Sequence, residues 1–462
     1  MKPHSASQRL ELAALLALFG LGSTAGQAGE LYFDFNHNIN PPDASVFLFG
    51  NAGQTATVST RSGFNQDLVL SAEGFFNLPI DRSFQQSGTG VRNTGFRVVS
   101  PDPIAGYFVN RAPNTTDMTY LLDKASLGTE YFIASDGGRY GEGSQVMIHA
   151  TADNTAVTFT PKGSAPINVV LRAGETYKYA GGNADLTGSS VTATNPVAVF
   201  GGHECTNIPD SFAACDTLIE QMIPTNRLSS SYLVAASDPA VRSETPVNGD
   251  LVRVIATTDN TSVSVNGVTV ATLNAGDVHQ FELSQTDGLG AAIDASAPVM
   301  VAQYLTGQDY LGGINTDPAM SLVPGTDTWL DDYRLATPAG AQAFTNNYAA
   351  IVIETLDLLS LLLDGNPVNT SSFTGIGGTA FSRGLVDLPI GLFTMSAASP
   401  FLLMLGGGEW YDSYLTYGGA TFAPGISPPD LNVPQGVSAP LPAALVAIGL
   451  ASLGWTRRRR AC

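Results

Sequence analysis

Three observations predict an all-β chain of four tandem β-sandwich-like repeats of about 100 residues. A Tyr followed by an apolar residue recurs as Tyr32-Phe33, Tyr131-Phe132, Tyr232-Leu233 and, with Arg in second place, Tyr333-Arg334-Leu335, at intervals of 99, 101 and 101 residues. A Pro opens a short apolar run in Pro103-Ile104-Ala105, Pro196-Val197-Ala198, Pro298-Val299-Met300 and Pro400-Phe401-Leu402, at intervals of 93, 102 and 102. The 49 Gly and 27 Pro among 462 residues punctuate stretches rich in Val, Ile, Thr, Phe and Tyr, with no sustained helical periodicity away from the two ends. Two markers at one period mean one copied unit, and a period this long lets each copy bury a core of its own, unlike a solenoid repeat.

The interior of the copies keeps the register. Ala152-Asp153-Asn154-Thr155-Ala156-Val157 matches Thr258-Asp259-Asn260-Thr261-Ser262-Val263, and Ala173-Gly174-Glu175 matches Ala275-Gly276-Asp277. Residues 157–161 and 263–266 alternate apolar and polar at period two, as half-buried strands do. Asn266-Gly267 and Asp364-Gly365 supply the pair of positive φ values that a tight hairpin demands. Each repeated Pro suits the first position of a strand, where a missing N–H costs no ladder bond. The repeats are placed at about 29–128, 129–229, 230–330 and 331–425, the first copy, around Val46-Phe47-Leu48, being the most diverged. A further Ser413-Tyr414-Leu415 echoes Ser231-Tyr232-Leu233 after the fourth copy. It suggests an alternative in which each Tyr strand completes the preceding unit's sheet, interlocking the copies into one rigid propeller- or ring-like body. In that case Tyr131 packs with the strand led by Pro103.

The ends of the chain predict export. Lys2 and Arg9 precede an apolar run at 12–21, and small residues follow through Ala28, the layout of a cleavable signal peptide over 1–28. After a Pro/Gly-rich linker at 426–439 comes a tail at 440–462: Pro440-Leu441-Pro442, an apolar run, then Arg457-Arg458-Arg459-Arg460. The apolar run of fifteen residues at 441–455 is short against the roughly 20 of a full membrane span. This order resembles the PEP-CTERM sorting signal of bacterial surface proteins in its Pro-Leu-Pro variant. It departs from that pattern in having Leu441 where the name-giving form has Glu, and Ala439 where the variant has Val. The resemblance implies an exosortase-type sorting enzyme as a partner and the membrane as a transient one.

Loss of Lys2, Arg9, Glu11 and the four tail Arg takes the formal net charge from −19 to −24, which disfavours nucleic acid and anionic lipid as ligands. Cys462 leaves with the tail, and Cys205 and Cys215 remain as an even pair in an exported chain, which predicts a disulfide. The competing reading is a metal site with His203 and Glu204. Adjacent residues on a strand point to opposite faces, however, and a tight zinc site wants three or four convergent ligands.

The same block carries a family resemblance. Val197-Ala198-Val199-Phe200-Gly201-Gly202-His203-Glu204-Cys205, then Ala214-Cys215-Asp216 and Glu220-Gln221-Met222, resembles the signature of the IgGFc-binding protein N-terminal domain family. Weaker matches, among them Asp153-Asn154-Thr155, Ala302-Gln303-Tyr304, Asp317-Pro318-Ala319-Met320 and Tyr411-Asp412-Ser413-Tyr414, extend it over about 31–419. The signature residues are thus Gly202, His203, Glu204, Cys205, Cys215, Asp216, Glu220 and Gln221. The resemblance implies a secreted or surface protein that binds other molecules. Antibody binding does not transfer with it: it is attributed to one vertebrate protein, and no residue here can be assigned to a binding epitope.

Nothing in the sequence announces an enzyme. His149 and His279 sit in strand patterns, Asp331-Asp332 face apart, and there is no phosphate loop, Cys-x-x-Cys or His-Glu-x-x-His. Gly406-Gly407-Gly408 reads as a flexible turn. No cofactor is expected beyond weak calcium at Asp-rich loop ends such as Asn248-Gly249-Asp250 and Asn315-Thr316-Asp317. The polar stretches that follow the Tyr strands, at 136–143, 238–249 and 339–347, are the expected recognition loops. The expectation is an exported cell-surface or matrix protein that recognises glycans or glycoproteins or contributes to a biofilm matrix. The alternative is a secreted hydrolase with a site between repeats.

Overall fold

The computed structural model describes residues 28–138 and 140–422. The expected signal peptide, linker and sorting tail, with Pro440, Leu441, Pro442 and Arg457 to Arg460, lie outside the described residues. The regular structure of the described chain is almost all β-strand. Its α-helix is a single turn, Asp238–Val241, and among the described residues no helix is long and apolar enough to cross a membrane.

One strand order recurs. In the first unit a four-stranded layer runs Gly29–Phe33, Phe96–Ser100, Thr55–Thr60, Asn65–Val69, and faces a second layer Phe75–Ile80, Ala44–Phe49, Ala105–Ala112, Thr115–Tyr120. The third unit repeats it with Ser231–Ala235, Gly290–Ala295, Thr261–Val265, Val268–Leu273 against Val278–Leu283, Asp250–Ala256, Val299–Leu305, Ala319–Leu322. In the second unit a single strand, Ser190–Thr206, serves both layers. Its first part pairs with Gly128–Phe132 and Thr155–Thr160, and its second with Ser144–Ala150 and Asp216–Gln221. Leu392–Glu409 does the same in the fourth unit. The hairpins fall where the turn chemistry places them: Asn266 and Gly267 have φ of 49° and 75°, Asp364 and Gly365 of 50° and 73°.

The two sequence markers meet in a hydrogen bond. The Tyr131 hydroxyl donates to the carbonyl of Val197 at 2.6 Å, Tyr232 to Val299 at 2.6 Å, and Tyr333 to Phe401 at 2.6 Å, in each case the residue after the repeated Pro. A buried phenol needs a polar partner, and this one clamps the first strand of a layer to the start of the facing one. In the first unit Tyr32 turns to Glu30 instead.

These contacts overturn the expectation that a Tyr strand completes the preceding unit. Tyr131 pairs with Val191 inside its own unit, where the apolar partners of its strand lie. Ser413-Tyr414-Leu415 is no Tyr-strand opener either; it belongs to Asp412–Tyr417, the last strand of the fourth unit's second layer. Gly406, Gly407 and Gly408 are not a turn but buried strand within Leu392–Glu409. A Cβ on Gly406 would come within 2.5 Å of the Tyr348 ring and one on Gly407 within 2.4 Å of the Tyr414 ring, so the glycines make room for aromatics.

The units are nonetheless locked together, by a different set of strands. The last strand of each unit has N–H groups pointing away from its own sheet, and side chains of neighbouring last strands accept them. Thr115 and Thr119 hydroxyls take the N–H of Thr217 and Gln221 at 2.9 and 2.8 Å. Asp117 takes those of Ile219 and Met320 at 3.0 and 3.2 Å. Glu220 accepts from Leu322 at 3.3 Å, Ser413 from Asp317 at 2.8 Å, and Thr416 from Tyr120 at 3.0 Å. First joins second, second joins third, third joins fourth and fourth joins first, so the four last strands close a ring. These backbone donors are thereby satisfied without a continuous sheet.

Candidate functional site

The signature residues of the second unit prove to be joints. A Cβ on Gly202 would lie 1.9 Å from the Leu218 carbonyl, so only glycine lets these strands approach. His203 is fully buried and its Nδ1 accepts the Cys205 N–H at 3.0 Å; burial pushes its pKa down to about 4, which keeps the ring neutral at ordinary pH. Glu204 points to the other face, with its Oε1 3.0 Å from His37 Nδ1 of the first unit. Burial works against its charge, yet His37 and the Glu142 N–H hold the carboxyl below its usual value. Glu220 and Gln221 accept backbone N–H groups of Leu322 and Leu122 in the third and first units. Asp216 is buried at one end of the ring, and burial, then the nearby carboxyls of Asp412 and Asp317, raise its pKa well above normal.

Cys205 and Cys215 are joined, with Cα atoms 5.2 Å apart and a sequence separation of 10. The metal alternative therefore loses its thiolate. Among the described residues no three His, Cys, Asp or Glu side chains are grouped to hold a metal ion. The disulfide loop docks on the third unit, where Gly307 N–H donates to Ile208 O at 2.8 Å and Asp309 N–H to Ala213 O at 3.2 Å.

That docking leaves a cleft of about 660 Å³ between the second and third units. Asp136, Gly137 and Gly138 come from the loop after the second Tyr strand, Asp185 from a neighbouring turn, Ile208 to Asp210 from the disulfide loop, and Arg253 with Gln280 from the third unit. Arg253 organises the floor. Its Nη2 is 2.6 Å from Asp136 Oδ1, Nη1 donates to Ser135 O at 2.8 Å, Nε donates to Gln280 at 2.9 Å, and the guanidinium lies 4.6 Å over the Tyr304 ring. Burial raises the Asp136 carboxyl above its normal range, against the opposing pull of Arg253. Asp185, 3.9 Å from Arg253, is half exposed and carries an open acceptor face. A pre-formed polar cleft of this size, rich in fixed acceptors with one fixed cation, suits a hydroxyl-rich ligand whose groups both donate and accept.

The expected recognition loops divide. Residues 136–138 wall the large cleft, and Ala341 from the loop at 339–347 lines a smaller cavity between the first and fourth units. The loop at 238–249 folds instead into the turn of helix, capped by Ser237, and lines neither. Asp250, expected at a weak calcium loop, is spent inside the unit on Ser237 and Gln303. His149 and His279 are strand residues, as read from the sequence. Arg253 was not among the candidates. Its signal was there: a lone Arg within the otherwise apolar run 251–256 of the strand Asp250–Ala256.

The model of the family described as IgGFc binding protein matches residues 117–407. The human IgGFc-binding protein is 27% identical over 367 residues, covering 76% of this chain and 6% of that protein, so the chain spans a small fraction of its relative. Among solved structures, one titled as a Ca2+-stabilized adhesin by which an Antarctic bacterium binds ice has a TM-score of 0.12 at 13% identity over 87% of this chain and 99% of that one. A marsupial T cell receptor has a TM-score of 0.09 at 8% identity over 62% and 97%. Likenesses that slight carry no argument.

Proposed function

This chain belongs to the IgGFc-binding protein family, and from that premise we propose that it is an exported, extracellular binding protein whose ligand is a glycan or the glycan of a glycoprotein. The observation that supports it is the cleft floored by Arg253, Asp136 and Gln280, built across two units by the disulfide loop. In this reading the signature residues hold the scaffold and the loops over it make the contact. The tail at 440–462 is the sorting element, carried through the membrane and exchanged by an exosortase-type enzyme, which leaves the four-unit body on the cell surface or in the matrix. Immunoglobulin binding is the named property of the human relative and enters as a competing ligand.

Arrays of exopolysaccharides, glycoproteins and immunoglobulin Fc, probed with the protein spanning 29–422, test the reading. Glycan binding that falls about tenfold in Asp185→Asn, an exposed and conservative change, supports it. Binding of Fc stripped of its glycan, or turnover of a glycosidase or protease substrate that His203→Ala abolishes, overturns it.

A further inference from the structure

The smaller cavity, of about 240 Å³, lies where the first unit meets the fourth. It holds about eight waters at roughly 30 Å³ each, room for one sugar residue. Trp410 sits at its rim on the two-residue turn between the paired residues Glu409 and Asp412. Tyr411 in that turn has a φ of 51°, a left-handed conformation costly for a bulky residue. The turn props the indole outward, 61% exposed, with the Tyr411 ring 4.8 Å away edge-on. A large apolar ring held in water on a strained turn is a feature that folding alone does not require.

The charges beside it are unbalanced. Asp43, Glu409 and Asp412 line the cavity against one cation, Arg111. That guanidinium is already committed: it lies 4.0 Å over the Phe344 ring, donates to the carbonyls of Gln342 and Ala343, and stands 3.3 Å from Glu409 and 3.6 Å from Asp412. Asp412 is only 4% exposed, and its Oδ1 has no hydrogen-bond partner. A buried acceptor without a donor is costly, and Asp412 forms part of the cavity wall.

We propose that this cavity binds an amino sugar with a free, protonated amine, the ammonium set against Asp412 and Glu409 and the sugar ring laid on the face of Trp410. An ammonium brings three donors and no acceptor, which matches a site offering carboxylates. The aromatic face attracts the cation and covers the apolar face of the ring. The acidic lining disfavours an anionic sugar, and a neutral N-acetylated one adds no cation to the single Arg111 that Glu409 and Asp412 share. The acidic net charge of the chain, −19 in full and more negative without its two basic ends, draws a polycationic glycan toward the surface.

The inference rests on the glycan-binding reading above and adds a second site with its own charge preference. It is tested by calorimetry and Trp fluorescence with the protein spanning 29–422, titrated with glucosamine oligomers, N-acetylglucosamine oligomers and polylysine. Glucosamine oligomers are expected to bind at least about tenfold more tightly than the acetylated ones, with affinity falling as salt rises. Trp410→Ala, which removes an exposed side chain, and Asp412→Asn should each weaken that binding about tenfold, while Asp185→Asn in the larger cleft leaves it unchanged. No binding of glucosamine oligomers, equal binding of the acetylated form, tighter binding of polylysine, or an unaltered Trp410→Ala overturns the proposal. Sensitivity to Asp185→Asn alone overturns it too, and leaves the larger cleft as the glycan site.

Discussion

The phenolic hydroxyl of Tyr232 donates to the carbonyl oxygen of Val299 at 2.6 Å and accepts the N–H of Ser229 at 2.9 Å. One side chain thus fastens the opening strand of its unit to the first residue of a strand 67 positions later. Tyr232→Phe keeps the ring and removes both bonds, so unfolding in urea should show a loss of about 1–2 kcal/mol. The same change at Tyr32, whose hydroxyl meets Glu30 near the surface instead, should cost less.

Gly202→Ala should be far more damaging. The new Cβ would meet the Leu218 carbonyl, a backbone atom paired within its sheet, and neither strand can yield without breaking the ladder. A loss of about 3 kcal/mol or more is expected, read as a lowered urea midpoint or as absence of folded protein from the medium.

Reduction of Cys205–Cys215 should lower thermal stability without release of metal. A loop of ten residues predicts about 2.5 kcal/mol from chain entropy. Melting with and without reductant measures it, and Cys205→Ser should melt like the reduced protein. Because the loop walls the larger cleft, glycan binding should weaken along with stability.

Stability should fall as pH rises from about 4 to 8. Burial, with help from neighbouring carboxyls, raises Asp317 to about 8, and burial raises Asp412 to about 7 against the pull of Arg111. Between the ordinary carboxyl value and these, the folded state holds protons that the unfolded state has released. Each group then takes away up to about 1.4 kcal/mol per pH unit, and the loss is complete above the folded values. Asp317→Asn should flatten that slope in melts taken across the range. His203 opposes part of this slope: buried neutral with a pKa of about 4, it contributes stability that is present above 6.5 and fades as pH falls toward 4, offsetting about one carboxyl's share in that window, so the net fall is steepest between about 6.5 and 8.

The strand content, the hairpins at Asn266-Gly267 and Asp364-Gly365, and the disulfide were legible because each rests on local chemistry or on a count. The Tyr and Pro series were legible as spacings, and what joins them, a hydroxyl and a carbonyl, could not be read from either alone. The glycine run at 406–408 misled, since a turn and a strand packed under two tyrosines both select residues without side chains. The larger cleft was half visible. Its loop at 136–138 stood out as polar, but Arg253 comes from a different unit and reaches the cleft only through the way the units dock. Of the signature residues only His203, Glu204 and Cys205 were weighed as metal ligands; that Glu220 and Gln221 accept single N–H groups across unit boundaries is something no one-dimensional pattern reports.

The ring of last strands sets a rule on what can be cut away. Each of these strands carries donors that only its neighbours' Thr, Ser, Asp and Glu side chains accept. A piece containing one or two units would bare an unpaired strand edge, and such edges recruit other chains. Unlike beads on a string, the four described units lean on one another through this closure, so fragments of one or two units are expected to associate in sedimentation while the protein spanning all four stays monomeric.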